Sequence, residues 1–241
     1  MLVAALVCPH PPLLLPGLTG AADLAPDLRA ACLDGIRALA AAEPEALILV
    51  GGAEHTGTWD GNLPRGASRF SAGRVPDVPP GGPPADSGPV LPLSLAAGQE
   101  LLDEAGWTGP RHLHSVAADA PAADCLALGE RLAGAAGRVG LLVLGDGSAR
   151  RGLKAPGYLD DRAAGYDGQA RRGLAGDLAA LRSLDAGLGR DLLAAGRAPW
   201  QVLAGAAAGR PPPQPEVRYE GDPFGVYYLV VSWDFPGAAA R

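Results

Sequence analysis

The chain has 241 residues, of which 48% are hydrophobic and 19% charged, and its formal net charge is −6. These values are typical of a globular protein with a sizeable core, and the negative charge argues against a surface that tracks nucleic-acid phosphates. No apolar run approaches the roughly 20 residues of a membrane helix, and no basic residue precedes the apolar N-terminus, as one does in a secretion signal. We expect a cytoplasmic protein without a nucleic-acid or membrane partner.

Short apolar runs alternate with longer helical patterns from the N-terminus onward. Residues 2–7 predict a first buried strand, residues 23–39 a helix with one apolar stripe, and residues 47–50 a second strand that two glycines end. The stretch 60–88 is rich in Gly, Pro and Ser, and such a composition does not form a packed core. We therefore expect a long surface loop there, either a lid or a disordered segment.

The same alternation continues after this loop. A helix is predicted to start at Ser94 as its N-cap, a strand to span 111–116, and a helix to follow Pro121. Residues 139–144 predict a third clear strand, helical patterns follow from 160, 185 and 199, and a last strand lies at 226–233. This order of elements predicts one α/β domain over residues 1–241, with a central, mostly parallel sheet flanked by helices.

Two of the four histidines follow the first two predicted strands. His10 lies between two prolines that restrict its backbone, and His55 follows the second strand. Ligands collect at the carboxyl ends of parallel strands, so both imidazoles are candidates to bind one Zn(II) or Fe(II), with Asp146 or Glu54 as a third ligand. The alternatives are a histidine bonded within its own turn and a loop histidine that faces solvent.

The segment Gly-Asp-Gly-Ser at 145–148, directly after the third strand, has three interpretations. Its amides could cradle an anion, Asp146 could act as a metal ligand or general base with Ser148 beside it, or the segment could be a plain tight turn. The plain turn is favoured, because neither a P-loop lysine nor a complete dinucleotide fingerprint accompanies the glycines.

His112 and His114 stand two residues apart on a predicted strand. This spacing puts both side chains on one face, where they can chelate a metal or supply a base. An exposed pair without a chemical role is the more common outcome for this spacing.

In their order along the chain, these motifs resemble the class III extradiol ring-cleavage dioxygenases (LigB-type catalytic subunits) and their relatives in the Memo family. The resemblance comprises Pro9-His10, His55, the Gly-Asp-Gly-Ser segment at 145–148, and a Gly-Arg-x-Pro pattern followed by Val-Leu at 196–203. It implies the same α/β fold. It also implies Fe(II) held by two histidines and a glutamate, which binds catechol and O₂ at its open face, and a further histidine that acts as acid and base.

The resemblance also implies which parts of that site are missing. Its two histidine ligands fall on His10 and His55, its third ligand on Ala195 and its acid–base histidine on Ala149. An alanine can neither bind a metal nor transfer a proton. The crevice that the resemblance implies has the following candidate lining: His10, His55, Glu54, Asp146, Ser148 and Arg197.

Two functions remain open on these residues. The first is a metal-dependent, dioxygenase-like oxidoreductase for a small aromatic substrate, with an incomplete metal site at His10 and His55 and with Asp146, Ser148, His112 or His114 in catalytic roles. The second is a catalytically inactive relative that serves as a ligand-binding or protein-interaction module. An anion-binding hydrolase or transferase that uses the 145–148 turn is a weaker third option, and the helices near the C-terminus are compatible with a homodimer.

Overall fold

The computed structural model describes residues 1–15, 23–65 and 88–235. These residues form one seven-stranded sheet with helices packed against it. The strands are β1 (Leu2–Cys8), β2 (Ala46–Ala53), β3 (Gly57–Trp59), β4 (Arg111–Ala117), β5 (Val139–Leu144), β6 (Gln214–Gly221) and β7 (Tyr228–Asp234). The α-helices of these ranges are α1 (Pro26–Ala41), α2 (Leu93–Glu104), α3 (Ala122–Leu132), α4 (Ala163–Leu174), α5 (Leu178–Arg182), α6 (Ala186–Asp191) and α7 (Arg197–Ala206).

The strand order is β3-β4-β2-β5-β1-β7-β6. The four strands β4, β2, β5 and β1 are parallel, whereas β3, β7 and β6 are antiparallel to their neighbours. Parallel strands need a crossover between them, and helices such as α1 and α3 supply it. The predicted α/β architecture with a mostly parallel central sheet is therefore confirmed.

The core consists of two layers, one on each face of the sheet. Successive side chains of a strand point to opposite faces, so Leu6 and Leu49 pack with α1 and α2, while Val7 and Val50 pack with α3, α4 and α7. Both faces of the central strands are covered. This is why residues 2–7 and 47–50 are continuously apolar rather than alternating.

Helices α3 and α7 cross so closely that only glycine fits at the crossing. A Cβ atom at Gly129 would lie 1.9 Å from the carbonyl oxygen of Val202, and one at Gly205 would lie 2.1 Å from that of Leu126. The reciprocal contact sets the position of α7 against α3. It thereby also positions the residues just before α7, which take part in the candidate site.

Two predicted boundaries near the site were wrong. The strand β2 continues through both glycines to Ala53, because it keeps its pairing with β4. Ser94 does not cap α2, which begins at Leu93. Its hydroxyl donates to the Gly52 carbonyl 2.8 Å away.

Further from the site, the helix predicted over 160–181 is two helices, α4 and α5, separated near Gly176 with its φ of +114°. The antiparallel strand β6 was not predicted. Most of the predicted 60–88 loop, residues 66–87, lies outside the described residues. Across the part of the chain that is described, no helix is both long and apolar enough to cross a bilayer.

Candidate functional site

The parallel strands β1, β5 and β2 end side by side at the same level. Cys8 of β1 and Gly51 of β2 are both in register with Leu144 of β5. The chain continues from these ends to His10, Asp146 and His55. Because β5 separates β1 from β2, the strands that carry the two histidines are about 10 Å apart, and the segment with Asp146 follows the strand between them.

His10 and Asp146 form the polar centre of this edge. The His10 side chain is buried, with 7% of the residue exposed, and its backbone N–H donates to Asp146 Oδ1 at 2.8 Å. The ring Nδ1 lies 3.6 Å from the same oxygen, which is too long for a hydrogen bond. Within the described residues this buried nitrogen has no hydrogen-bond partner, so it is available to a ligand or a water molecule.

His55 and Glu54 have a different environment, because both are exposed. The backbone of His55 is held, since its carbonyl oxygen accepts a hydrogen bond from Ser115 Oγ at 2.6 Å. Asp146, rather than Glu54, is thus the carboxylate beside His10. No group of three or more His, Cys, Asp or Glu side chains in residues 1–15, 23–65 and 88–235 is arranged to hold a metal ion.

Ala195 and Ala149 lie on the segments that flank this edge. A Cβ atom at Gly52 would come within 3.2 Å of the Ala195 carbonyl oxygen, so the segment before α7 runs against the end of β2. The next residue, Gly196, donates its N–H to the Asp146 carbonyl at 2.7 Å. Ala149 is 8% exposed and donates its N–H to Leu192. Both alanines offer only a methyl group.

The 145–148 turn is not a free anion cradle. Its Gly145 N–H donates to the Cys8 carbonyl at 2.9 Å, and its Gly147 N–H donates to the Tyr227 carbonyl at 2.8 Å. The Ser148 N–H donates to Asp167 Oδ1 at 2.8 Å. Since these three amides are already hydrogen-bonded within the protein, the anion-binding interpretation was wrong, and the turn is a structural one.

Ser148 was also wrong as a crevice residue, because it is completely buried. Its hydroxyl donates to Asp167 Oδ2 at 2.6 Å, and the carboxylate of Asp167, which is 1% exposed, lies 3.8 Å from Arg151 Nε. Burial raises the pKa of Asp167, while the hydrogen bonds from Ser148 oppose that rise. Sequence analysis missed Asp167. Its only signal was a carboxylate between the buried positions Tyr166 and Ala170 of α4.

His112 and His114 share one face of β4, as predicted, but they do not belong to the His10 centre. They are in register with Ile48 and Val50 in the body of the sheet, and β4 is three strands away from β1, about 14 Å. Their predicted role as a base for that centre was therefore wrong. Partial burial, together with the charge of His112, lowers the pKa of His114.

Arg197, which was predicted to line the crevice, is instead bound beneath the segment that follows β4. Its guanidinium is buried, with 2% of the residue exposed. It donates to the carbonyls of Ala118 and Ala120, both at 2.5 Å, and to Gln201 Oε1 at 3.0 Å. No carboxylate pairs with this buried cation within the described ranges.

The fold and site together define an α/β protein with a mostly buried polar pair, His10 and Asp146, at the carboxyl edge of a mostly parallel sheet. No protein-family model matches the chain, and no curated protein matches it either. Among solved structures, the chain is similar to the uncharacterised protein JW3007 from Escherichia coli K12. The two are 16% identical with a TM-score of 0.51, over 95% of this chain and 99% of that one. At this identity the likeness shows the fold alone.

Proposed function

We propose that the chain binds a small aromatic molecule in the crevice where β1, β5 and β2 end, as an extradiol-dioxygenase-like protein that lacks the ordinary ring-cleaving centre. The pair of His10 and Asp146 carries this proposal, because it places an unbonded, buried imidazole nitrogen 3.6 Å from a carboxylate oxygen. An unsatisfied buried polar atom costs about 1–3 kcal/mol. A ligand hydroxyl that bonds to both groups offsets that cost.

The side chains present do not fit the three-ligand Fe(II) site that the resemblance implies. His10 and Asp146 can each supply one ligand atom, but positions 195 and 149 hold methyl groups, and the His55 ring is exposed. Removing a positioned acid or base typically costs about 10²–10⁴-fold in rate. The proposed binding therefore relies on the hydrogen-bonding groups of the chain itself.

A second unbonded donor lies next to the same turn. The indole Nε1 of Trp200 is buried and has no hydrogen-bond partner in the described part of the chain. A Cβ atom at Gly145 would lie 3.0 Å from this nitrogen. Two unsatisfied buried nitrogens therefore lie next to the 145–148 turn, and such atoms are uncommon in a finished core.

Catechol is the probe that tests this proposal, in a calorimetric titration of chelator-treated protein. We expect the wild-type chain to bind it and His10→Phe, which keeps the apolar volume but loses the ring nitrogens, to bind about tenfold more weakly, equivalent to ~1.4 kcal/mol. His55→Phe is the matched control and keeps the wild-type affinity, because its side chain is exposed. Equal affinities of wild type and His10→Phe, or no binding at all, contradict the proposal.

A metal-dependent oxidoreductase is the second candidate function. It is favoured by the succession of His10, Asp146 and His55 after three neighbouring parallel strands, because imidazole and carboxylate are ligand types that suit Fe(II) or Zn(II). The same protein preparation decides between the two candidates after incubation with either metal and desalting. A stoichiometric metal content that His10→Phe and His55→Phe both abolish favours the oxidoreductase, whereas trace contents favour the binding protein.

The amino-acid composition indicates which class of ligand the chain binds. We infer from the net charge of −6 that the ligand is a small molecule rather than a nucleic acid. A cytoplasmic location and a homodimer stay predictions.

A further inference from the structure

A pocket lies beside the candidate site. Its volume is about 320 Å³, and it is lined by the segment after β4, by α6 and by the residues that lead into α7. It includes Ala195 but neither His10 nor Asp146, so a ligand bound there does not depend on the function proposed for the His10 crevice. The size of the pocket is within the range of small-molecule sites, roughly 300–1,000 Å³.

The wall of this pocket is mostly apolar, since five of the eight lining residues are alanine, glycine or leucine. Leu193 at its rim is 49% exposed and has a φ of +56°. The left-handed region is rare for a leucine, and such strain is typical of ligand clamps and other functional positions. An apolar ligand that covers Leu193 removes its exposed surface from water.

The polar groups of the pocket are two arginines and one aspartate. Arg197 is the buried cation whose hydrogen-bond acceptors are all neutral groups, three oxygens and the Cys125 sulfur. Arg190 is exposed, and its guanidinium forms no hydrogen bond or ion pair with a described residue, nor does the carboxylate of Asp119. The pocket thus carries an excess of one positive charge in an apolar setting, where charge complementarity is worth more than it is in water.

We propose that this pocket binds a small apolar molecule with one carboxylate group. The apolar body lies against Leu193 and the alanines, and the carboxylate pairs with the exposed Arg190, because guanidinium groups are the preferred partners of planar carboxylates. The buried charge of Arg197 adds attraction from beneath the pocket wall without a direct contact. A neutral molecule of the same shape leaves the positive charge uncompensated. Recognition therefore depends on the charge of the ligand as well as on its shape.

The test uses benzoate and its neutral isostere benzamide, each titrated into the full chain and followed by protein NMR. We expect benzoate to bind about tenfold more tightly than benzamide. Arg190→Gln should weaken benzoate binding several-fold, and Asp119→Asn, which removes the one negative charge, should strengthen it. Arg37→Gln is the matched control, since it makes the same charge change on α1 at the other face of the sheet.

Two further measurements separate this pocket from the crevice. Ala118→Phe adds a ring at an exposed position of the pocket wall and should abolish benzoate binding without loss of folding, as judged by circular dichroism. Benzoate and catechol should bind simultaneously. Equal affinities for benzoate and benzamide, undiminished binding in Ala118→Phe, or competition between benzoate and catechol would each overturn the proposal.

Discussion

At the end of β1 and β5, His10 is 7% exposed and hydrogen-bonded through its backbone to Asp146, whereas at the end of β2 the His55 side chain is exposed. We refer to His10, Asp146 and the 145–148 turn as the inner edge, and to His55 with the β4 histidines as the outer edge. Both edges were candidate sites on residue type alone. Burial and hydrogen bonding, rather than the presence of a histidine, therefore distinguish a built site from a surface position.

The difference follows from what each strand leads into. The segments after β1 and β5 are packed against each other, since the His10 N–H donates to Asp146, so polar groups there are withdrawn from water and must find partners. The strand β2 is equally central, but His55 lies in the exposed turn between β2 and the three-residue edge strand β3. Side chains of the outer edge can therefore bond to water, and substitutions there should cost little.

The largest loss of stability should come from separating α7 from α3. The N-terminus of α7 supports the inner edge, because the Gly196 N–H donates to the Asp146 carbonyl. Gly205→Ala places a methyl group 2.1 Å from the Leu126 carbonyl oxygen and should lower the free energy of unfolding by about 3 kcal/mol, as measured in urea. Gly168→Ala in α4 is the control. Its new Cβ meets no heavy atom within 4 Å, so it should raise stability by up to ~1 kcal/mol. Similar stabilities of the two variants would contradict the close crossing.

A somewhat smaller loss of stability is expected when the hydrogen bonds that hold Ser148 of the inner edge are removed. Asp167→Ala leaves the buried N–H and hydroxyl of Ser148 without an acceptor, and we expect a loss of about 2–3 kcal/mol in the same urea experiment. The exposed Asp161, replaced by alanine, is the control and should change stability by less than about 0.5 kcal/mol. A loss no larger than that of the control would mean that the Ser148–Asp167 bonds do not support the turn.

The smallest effect should appear at the outer edge and depend on pH. The pKa of His114 is lowered in the folded chain by partial burial and by the charge of His112, so the unfolded chain binds the proton more tightly. The free energy of unfolding should therefore fall as the pH drops below about 6.5, the value for an unfolded histidine. His114→Gln should flatten this part of the stability profile when both chains are unfolded in urea at a series of pH values. Identical profiles for wild type and His114→Gln would contradict the lowered pKa of His114.

Much of the architecture was predictable because it depends on local patterns. The continuous apolar runs at 2–7 and 139–144 predicted central strands, and the stripe of Leu28, Cys32, Ile36 and Leu39 predicted α1. The two errors near the site share one cause. Ser94 was assigned as an N-cap from its neighbours in sequence, but its hydroxyl is bound by Gly52, 42 residues earlier. Long-range bonds of this kind leave no periodic signal.

Residue types and their order along the chain determined that this protein has an α/β fold, that His10 follows a central strand, and that alanine stands at 149 and 195. Only the tertiary structure decided which of these residues meet. The bond from the His10 backbone to Asp146 joins residues 136 positions apart. It exists because β5 inserts between β1 and β2. Strand pairing brings together segments that are far apart in sequence, and the contacts of those segments decided that His10 is buried while His55 is exposed.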